Sequence, residues 1–179
     1  MTLLVAGSGC VHASVATAPN PWTPPVAYRE ILVWEDVPHL GARERLEERF
    51  AHEAAKRTME VRLVPAYTVF YSGYRYEVED MLDVLRETPT EAVLQVTLVD
   101  AGSQYNQIMI GEDTILGGDE PFATYSAHLV DVATGEIVWY ATAELHGDIF
   151  TDRGDVDVKM VREFLAHLAL DGFASPPVG

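Results

Sequence analysis

Three groups of side chains in this sequence have the types and spacing that chemistry or recognition requires. The first is Ser126 and His128 on one strand face with Asp131 nearby, the residue types of a nucleophile, its base and an orienting acid. No G-x-S-x-G nucleophile elbow holds a serine anywhere in the chain. The six histidines (12, 39, 52, 128, 146 and 167) include no i, i+4 pair and no His-Glu-x-x-His arrangement. The second group is Asp148, Asp152, Asp155 and Asp157, four carboxylates within ten residues. They could gather around Ca²⁺, which takes six to eight oxygen ligands. EF-hand spacing and its closing glutamate are absent, and an N-cap by Asp155 or Asp157 for the following helix is the simpler use. The third group is Tyr67, Phe70, Tyr71, Tyr74 and Tyr76, five of 17 aromatic residues within ten positions. Ser72-Gly73 bends the chain between them, so alternation buries only some of the rings. Exposed tyrosines offer contact area at little rotamer entropy, and the expectation is a partner-binding patch. No phosphate-cradling glycine loop occurs, and neither a catalytic residue nor a cofactor is expected.

Charge excludes more than it assigns. The 179 residues carry 28 Asp and Glu against 12 Lys and Arg, a net charge of -16. Phosphate backbones would be repelled by such a surface, so nucleic acid is not an expected partner. At 48% apolar residues, the chain is too hydrophobic to be an acidic disordered tail. A single cysteine rules out an internal disulfide framework or a multi-cysteine metal site. The carboxyl-terminal 80 residues hold 14 acids and only three bases, Arg153, Lys159 and Arg162, which reads as a solvated, self-repelling surface.

The one cysteine is Cys10, preceded by Leu3-Leu4-Val5-Ala6-Gly7-Ser8-Gly9. An apolar stretch giving way to small residues before a cysteine resembles the end of a bacterial lipoprotein signal peptide. That resemblance implies a thiol carrying diacylglycerol, with acyl chains stabilising membrane attachment by about 0.8 kcal/mol per buried CH₂. Residues 1–10 are therefore read as signal peptide and lipidation site. Residues 11–27, with four prolines, read as an extended tether. Val11 after the cysteine lacks the Asp that retains many such lipoproteins at the inner membrane, which by that resemblance implies the outer membrane.

Between 28 and 173 the pattern is that of one globular domain, with 174–179 as a flexible tail. Tyr28–Val37 reads as a strand. A helix over Gly41–Arg57 follows, with Leu46, Phe50 and Ala54 on its apolar face and Arg43, Glu44, Glu47 and His52 solvated. Met59–Val69 returns as a strand, and Val78, Met81, Leu82 and Leu85 outline a short helix. Ala92–Asp100 alternates Leu94, Val96 and Leu98 against Gln95 and Thr97, implying one covered and one wetter sheet face. Tyr105–Ile110 is a further strand, residues 111–121 a loop, and 122–132 with 136–146 a hairpin. A last helix spans about Asp157–Asp171 with Gly172 as C-cap. The order β-α-β-α-β-β-β-β-α predicts an α/β (α+β) two-layer sandwich, its mixed sheet carrying helices mainly on one face.

Two segments carry a family resemblance. Glu91-Ala92-Val93-Leu94-Gln95-Val96-Thr97-Leu98 and Leu129-Val130-Asp131-Val132-Ala133-Thr134-Gly135-Glu136-Ile137-Val138-Trp139 resemble the strand and the D-x-x-T-G hairpin of small bacterial periplasmic lipoproteins. Those proteins have an α/β fold like the TolB amino-terminal domain and include accessories of curli secretion and of peptidoglycan-synthase activation. The resemblance implies a non-catalytic binding or assembly accessory on the periplasmic face of the outer membrane. It would be held there by the lipid anchor alone, with other envelope proteins as partners and an open sheet edge available for oligomerisation. The alternative is a small soluble hydrolase, or a ligand- or Ca²⁺-binding domain using the acidic loops.

Overall fold

The computed structural model describes residues 10–36, 40–57, 59–71, 73–74, 76–110, 114–148 and 151–175, with the side chains of 108–110 and 114–116 outside that description. Residues 1–9, read above as part of a signal peptide, and 176–179, read as part of the tail, fall outside it as well. The elements are β1 (Val11–Pro19), β2 (Glu30–Asp36), α1 (Leu40–Lys56), β3 (Arg62–Pro65), a 3-10 turn (Ala66–Thr68), α2 (Val78–Leu85), β4 (Ala92–Ile110), β5 (Thr114–Asp131), β6 (Ile137–Gly147) and α3 (Arg153–Leu170). They form an α+β fold around one six-stranded mixed sheet of order β1-β6-β5-β4-β2-β3. β2 runs parallel to β3 and β4, and the other pairs are antiparallel.

The sheet has two unequal faces. Ile31, Val33, Leu94, Val96, Leu129, Trp139, Ala141 and Leu145 project to one side and pack beneath α1 and α3. Leu32, Trp34, Val64, Val93 and Val130 project to the other, where Met81, Leu82 and Leu85 of α2 cover them. β2 is therefore apolar in succession, Ile-Leu-Val-Trp, because both of its faces are buried. Past α2 no described element covers the second face. There Gln95, Thr97, Ser126 and Thr142 are half-buried and Tyr140 and Glu144 exposed, the wetter face that the alternation of β4 implies.

Local chemistry sets the turns and ends. Asp131 Oδ1 accepts from Thr134 N at 2.8 Å and Gly135 takes φ 73°, closing the β5–β6 hairpin as its residue types suggest. Trp139 is fully buried, edge-on to Phe164 at 6.3 Å, with Nε1 donating to Asp171 at 2.8 Å. α3 ends with Gly172 at φ 85°, Gly172 N donating to Ala169 O and Phe173 N to Leu168 O, a Schellman closure. It begins earlier than its apolar period suggests. Asp152 is the N-cap, accepting from Asp155 N while Asp155 accepts from Asp152 N, so neither Asp155 nor Asp157 is the cap.

Three expectations are corrected. Residues 11–19 are not a tether: they form β1, antiparallel to β6 over nine residue pairs. All four prolines lie at Pro19 or later, and an edge position tolerates the one that ends the strand. Tyr105–Ile110 is the continuation of β4, and residues 114–121 of the expected loop belong to β5, so the two strands form one long hairpin. β2 leaves β4 at Thr97 and β6 leaves β5 at Phe122. Beyond those points the hairpin is a two-stranded arm about 26 Å long, at roughly 3.3 Å per residue. Finally, Ala174 is buried, so the packed domain includes it.

Packing of this kind makes its cost position-dependent. Leu129→Ala, at a fully buried site, is expected to cost about 2–5 kcal/mol. Leu170→Ala, at a site 78% exposed, should stay within about 0.5 kcal/mol. Urea denaturation of the two variants checks this.

Candidate functional site: an aromatic patch held by a buried carboxylate

Glu47 sits on the core side of α1 with no exposure. Its Oε1 accepts from Arg43 Nε at 2.9 Å and from Glu35 N at 3.3 Å, and its Oε2 accepts from Tyr67 N at 2.9 Å. One carboxylate thus joins α1, the end of β2 and the 3-10 turn where the aromatic segment begins. Arg43 and Glu47 are not on a solvated face, as the helix period suggests; both are buried. The apolar stripe of α1 is wide enough to carry an i, i+4 ion pair into the interior, where such a pair survives only if hydrogen-bonded.

The aromatic residues divide by depth. Phe70 is buried and Tyr76 packs beside it, ring centroids 5.1 Å apart, over the α2-covered core. Tyr74 stands edge-on to Tyr76 at 4.8 Å and is 61% exposed. Tyr71 is 76% exposed, its ring folded back over Gly73, where a Cβ would come within 2.6 Å of it. Tyr67 is half-buried. Phe70, Tyr76 and Tyr74 therefore form a graded stack with Phe70 at its floor and Tyr74 outermost, while Tyr71 and Val69 of the same segment are exposed. Offset and edge-on aromatic pairs contribute about 0.5–1.5 kcal/mol beyond burial, so the Tyr74 ring rests on a fixed support. Of the bend at Ser72-Gly73, Ser72 lies outside the described residues.

The other groupings do not converge. Ser126 and His128 do share a face, but His128 stacks on Tyr140 at 5.0 Å, and burial holds its imidazole below the usual value. Asp131 pairs with core-facing Ala92 and accepts from Tyr28 Oη at 2.9 Å. By strand alternation it points away from His128, so no triad forms. In the acidic loop, Asp148 Oδ2 accepts from Cys10 N at 2.9 Å. Asp152 and Asp155 cap α3, and Asp157 accepts from Arg49 at 3.0 Å and Tyr125 Oη at 2.6 Å. Each carboxylate has its own task, and among the described residues no three His, Cys, Asp or Glu side chains are grouped to hold a metal. A cleft of about 540 Å³ opens beside Tyr28, Arg29, Arg86 and Glu91. Arg86 Nε is committed there to Val132 O and Glu91 to Arg29 N.

Sequence reasoning missed the buried acids. Glu35 falls in the core-facing register of Ile31 and Val33, the one signal that marks it, and is 4% exposed. Burial first, then the negative charges of Asp157 and Glu47, push its carboxyl up to about 9, against the opposing pull of Arg43 and Arg153. Burial likewise raises Glu47, although its bonds from Arg43 and Tyr67 oppose the rise. Among the described residues Glu35 Oε2 and Arg43 Nη2 have no hydrogen-bond partner. The site as a whole places exposed tyrosines beside a packed aromatic pair and a buried ionisable cluster.

No family model matches the chain, and no curated protein matches it. Among solved structures it is similar to PelC from Paraburkholderia phytofirmans, determined as a dodecamer. The TM-score is 0.59 at 15% identity, over 90% of this chain and 99% of that one. A methionine-substituted form of the same dodecamer aligns with a TM-score of 0.59 at 16% identity, over 88% and 98% of the two chains. Lipoprotein GNA1162 from Neisseria meningitidis aligns over 79% and 98% with a TM-score of 0.49 at 16% identity. The shared property is the fold.

Two outcomes follow from the buried acids. A carboxyl raised on folding contributes stability that is complete below its ordinary value of 4.5 and lost as pH climbs through about 9. The melting temperature is therefore expected to fall between pH 5 and pH 9, and Glu35→Gln, neutral throughout, should flatten that fall. An equally steep fall in the variant would place the dependence elsewhere. Glu47→Leu strands Arg43 and releases Tyr67 N. Its expected cost is about 3–5 kcal/mol, read by denaturant titration.

Proposed function

We propose that this protein is a lipid-anchored accessory of the bacterial cell envelope that acts by binding other proteins rather than by catalysis. The observation that carries the reading is the aromatic cluster, in which Tyr71 and Tyr74 are exposed while Tyr76 and Phe70 support Tyr74 from beneath. Interfaces concentrate their energy in such clustered, immobilised tyrosines. The net charge of -16 favours solvation of much of the remaining surface.

The anchor is Cys10. Its thiol is free and the residue exposed at the threshold of β1, where acyl chains can leave without disturbing the core. Its N–H donates to Asp148, a bond that an N-acylated cysteine retains because an amide keeps one hydrogen. With β1 beginning at the next residue, an anchored protein lies close against the membrane surface. Val11 favours the outer membrane by resemblance to sorted lipoproteins. No helix among the described residues is long and apolar enough to cross a membrane. The fold likeness to PelC, determined as a dodecamer, supports a reading in which the protein also assembles with itself.

Tyr71→Ala with Tyr74→Ala is expected to reduce capture of envelope proteins at least tenfold with the melt unchanged. Phe70→Ala, by contrast, should lower the melt. Collapse of the fold in the tyrosine double variant would make those rings core and end the binding reading. Mass spectrometry of the amino terminus from membranes should find Cys10 acylated, and Cys10→Ser should move the protein to the soluble fraction. An unmodified thiol would remove the anchor from the proposal.

A further inference from the structure

Two long strand edges lack a partner among the described residues, and each offers a long uncharged stretch. The first is β1, whose outer side pairs with nothing described; residues 1–28 contain no Asp, Glu, Lys or Arg. The second is β4 past Thr97, where β2 has ended; residues 101–110 are equally free of charge. The third edge of the sheet, β3, is four residues long and bears Arg62 and Pro65, the usual guards against pairing.

Register shows what β1 offers. Cys10 O accepts from Asp148 N at 3.2 Å and Asn20 N donates to Val138 O at 2.9 Å, so the even-numbered residues bond to β6. Antiparallel alternation then turns the N–H and C=O groups of Val11, Ala13, Val15 and Thr17 outward. Pro19, which has no N–H, falls in the same outward set. The arm has the complementary need. Tyr105 lies over Gly117 and Phe122 over Gly102, and Asn106 donates to Glu120. Even so, a two-stranded ribbon without a third strand is marginal in water.

We infer that copies of this chain join head to tail, the outward edge of β1 in one copy pairing with the β4 edge of the arm, residues 101–110, in the next. In a chain of net charge -16, two copies approach best through uncharged strands, and interface cores are depleted of charge. β1 spans nine residues, matching the ten of the arm segment. One arrangement completes both edges, whereas β1 pairing with its own counterpart leaves the arm bare. The contact is heterologous, so it closes into rings or extends as a filament. It rests on the self-assembly part of the function proposed above, and not on the anchor or the aromatic patch.

Light scattering and native mass spectrometry of the full chain should show an assembly well above the 19.8 kDa monomer. Thr17→Pro removes an outward N–H and no bond to β6, and should leave monomer. Ala16→Lys, which keeps every backbone bond, repeats the test should Thr17→Pro fail to melt cooperatively. Gln104→Lys with Gln107→Lys on the arm should also give monomer. Mixed in equal amounts, the β1 and arm variants each retain one intact edge and should form a 1:1 pair. Wild-type monomer would overturn both this inference and the assembly reading. Assembly that survives both variants would overturn this inference alone, as would a mixture that stays monomeric.

Discussion

A single carboxylate, Glu47, ties together three segments of this protein, among them the start of the aromatic run. It is fully buried and accepts from three donors on three segments: Arg43 on α1, the backbone of Glu35 at the end of β2, and the backbone of Tyr67. Burying a charge costs several kcal/mol unless each lone pair is used. Here the cost is offset by making the carboxylate a joint rather than a decoration. The aromatic segment has little regular structure of its own, only the short 3-10 turn. Its position is inherited from that joint at one end and from the packing of Phe70 and Tyr76 on the α2 side at the other.

The sheet divides the labour of the molecule. Its α1–α3 face is the core, continuous from Ile31 through Trp139 to Leu145. Among the described residues its other face is covered by α2, over β2, β3 and the neighbouring residues Val93 and Val130. The aromatic patch lies on that covered end, and the free edge of β1 lies at the other extreme of the strand order. A partner on the patch and a second copy on the β1 edge would therefore occupy opposite ends of the sheet.

Much of the interior was legible from period alone. The alternation of Leu94, Val96 and Leu98 against Gln95 and Thr97, the spacing of Leu46, Phe50 and Ala54, and the Asp131–Gly135 turn all express preferences that neighbours in sequence can enforce. Boundaries were legible only where local chemistry marked them. α3 starts at Arg153 rather than near Asp157 because a capping box at Asp152 and Asp155 satisfies its first N–H groups, which hydrophobic period does not detect. β1 was misread because its prolines cluster at the far end. Val11–Ala18 alone is too small and weakly apolar to declare itself a strand without β6 beside it.

Composition and local pattern determined the α+β class, the tight hairpin, the concentration of aromatics near Tyr71 and the uncharged amino-terminal segment. These depend on residue type and on separations of a few positions. Only the tertiary structure decided which tyrosines are floor and which are surface, and that Arg43, Glu47 and Glu35 leave water together. It also decided that Asp148, Asp152, Asp155 and Asp157 serve separate bonds, and that β4 and β5 run past the sheet as an arm. Each of those outcomes is set by contacts between residues far apart in the chain. Their energies come from desolvation and packing, which a linear sequence does not display.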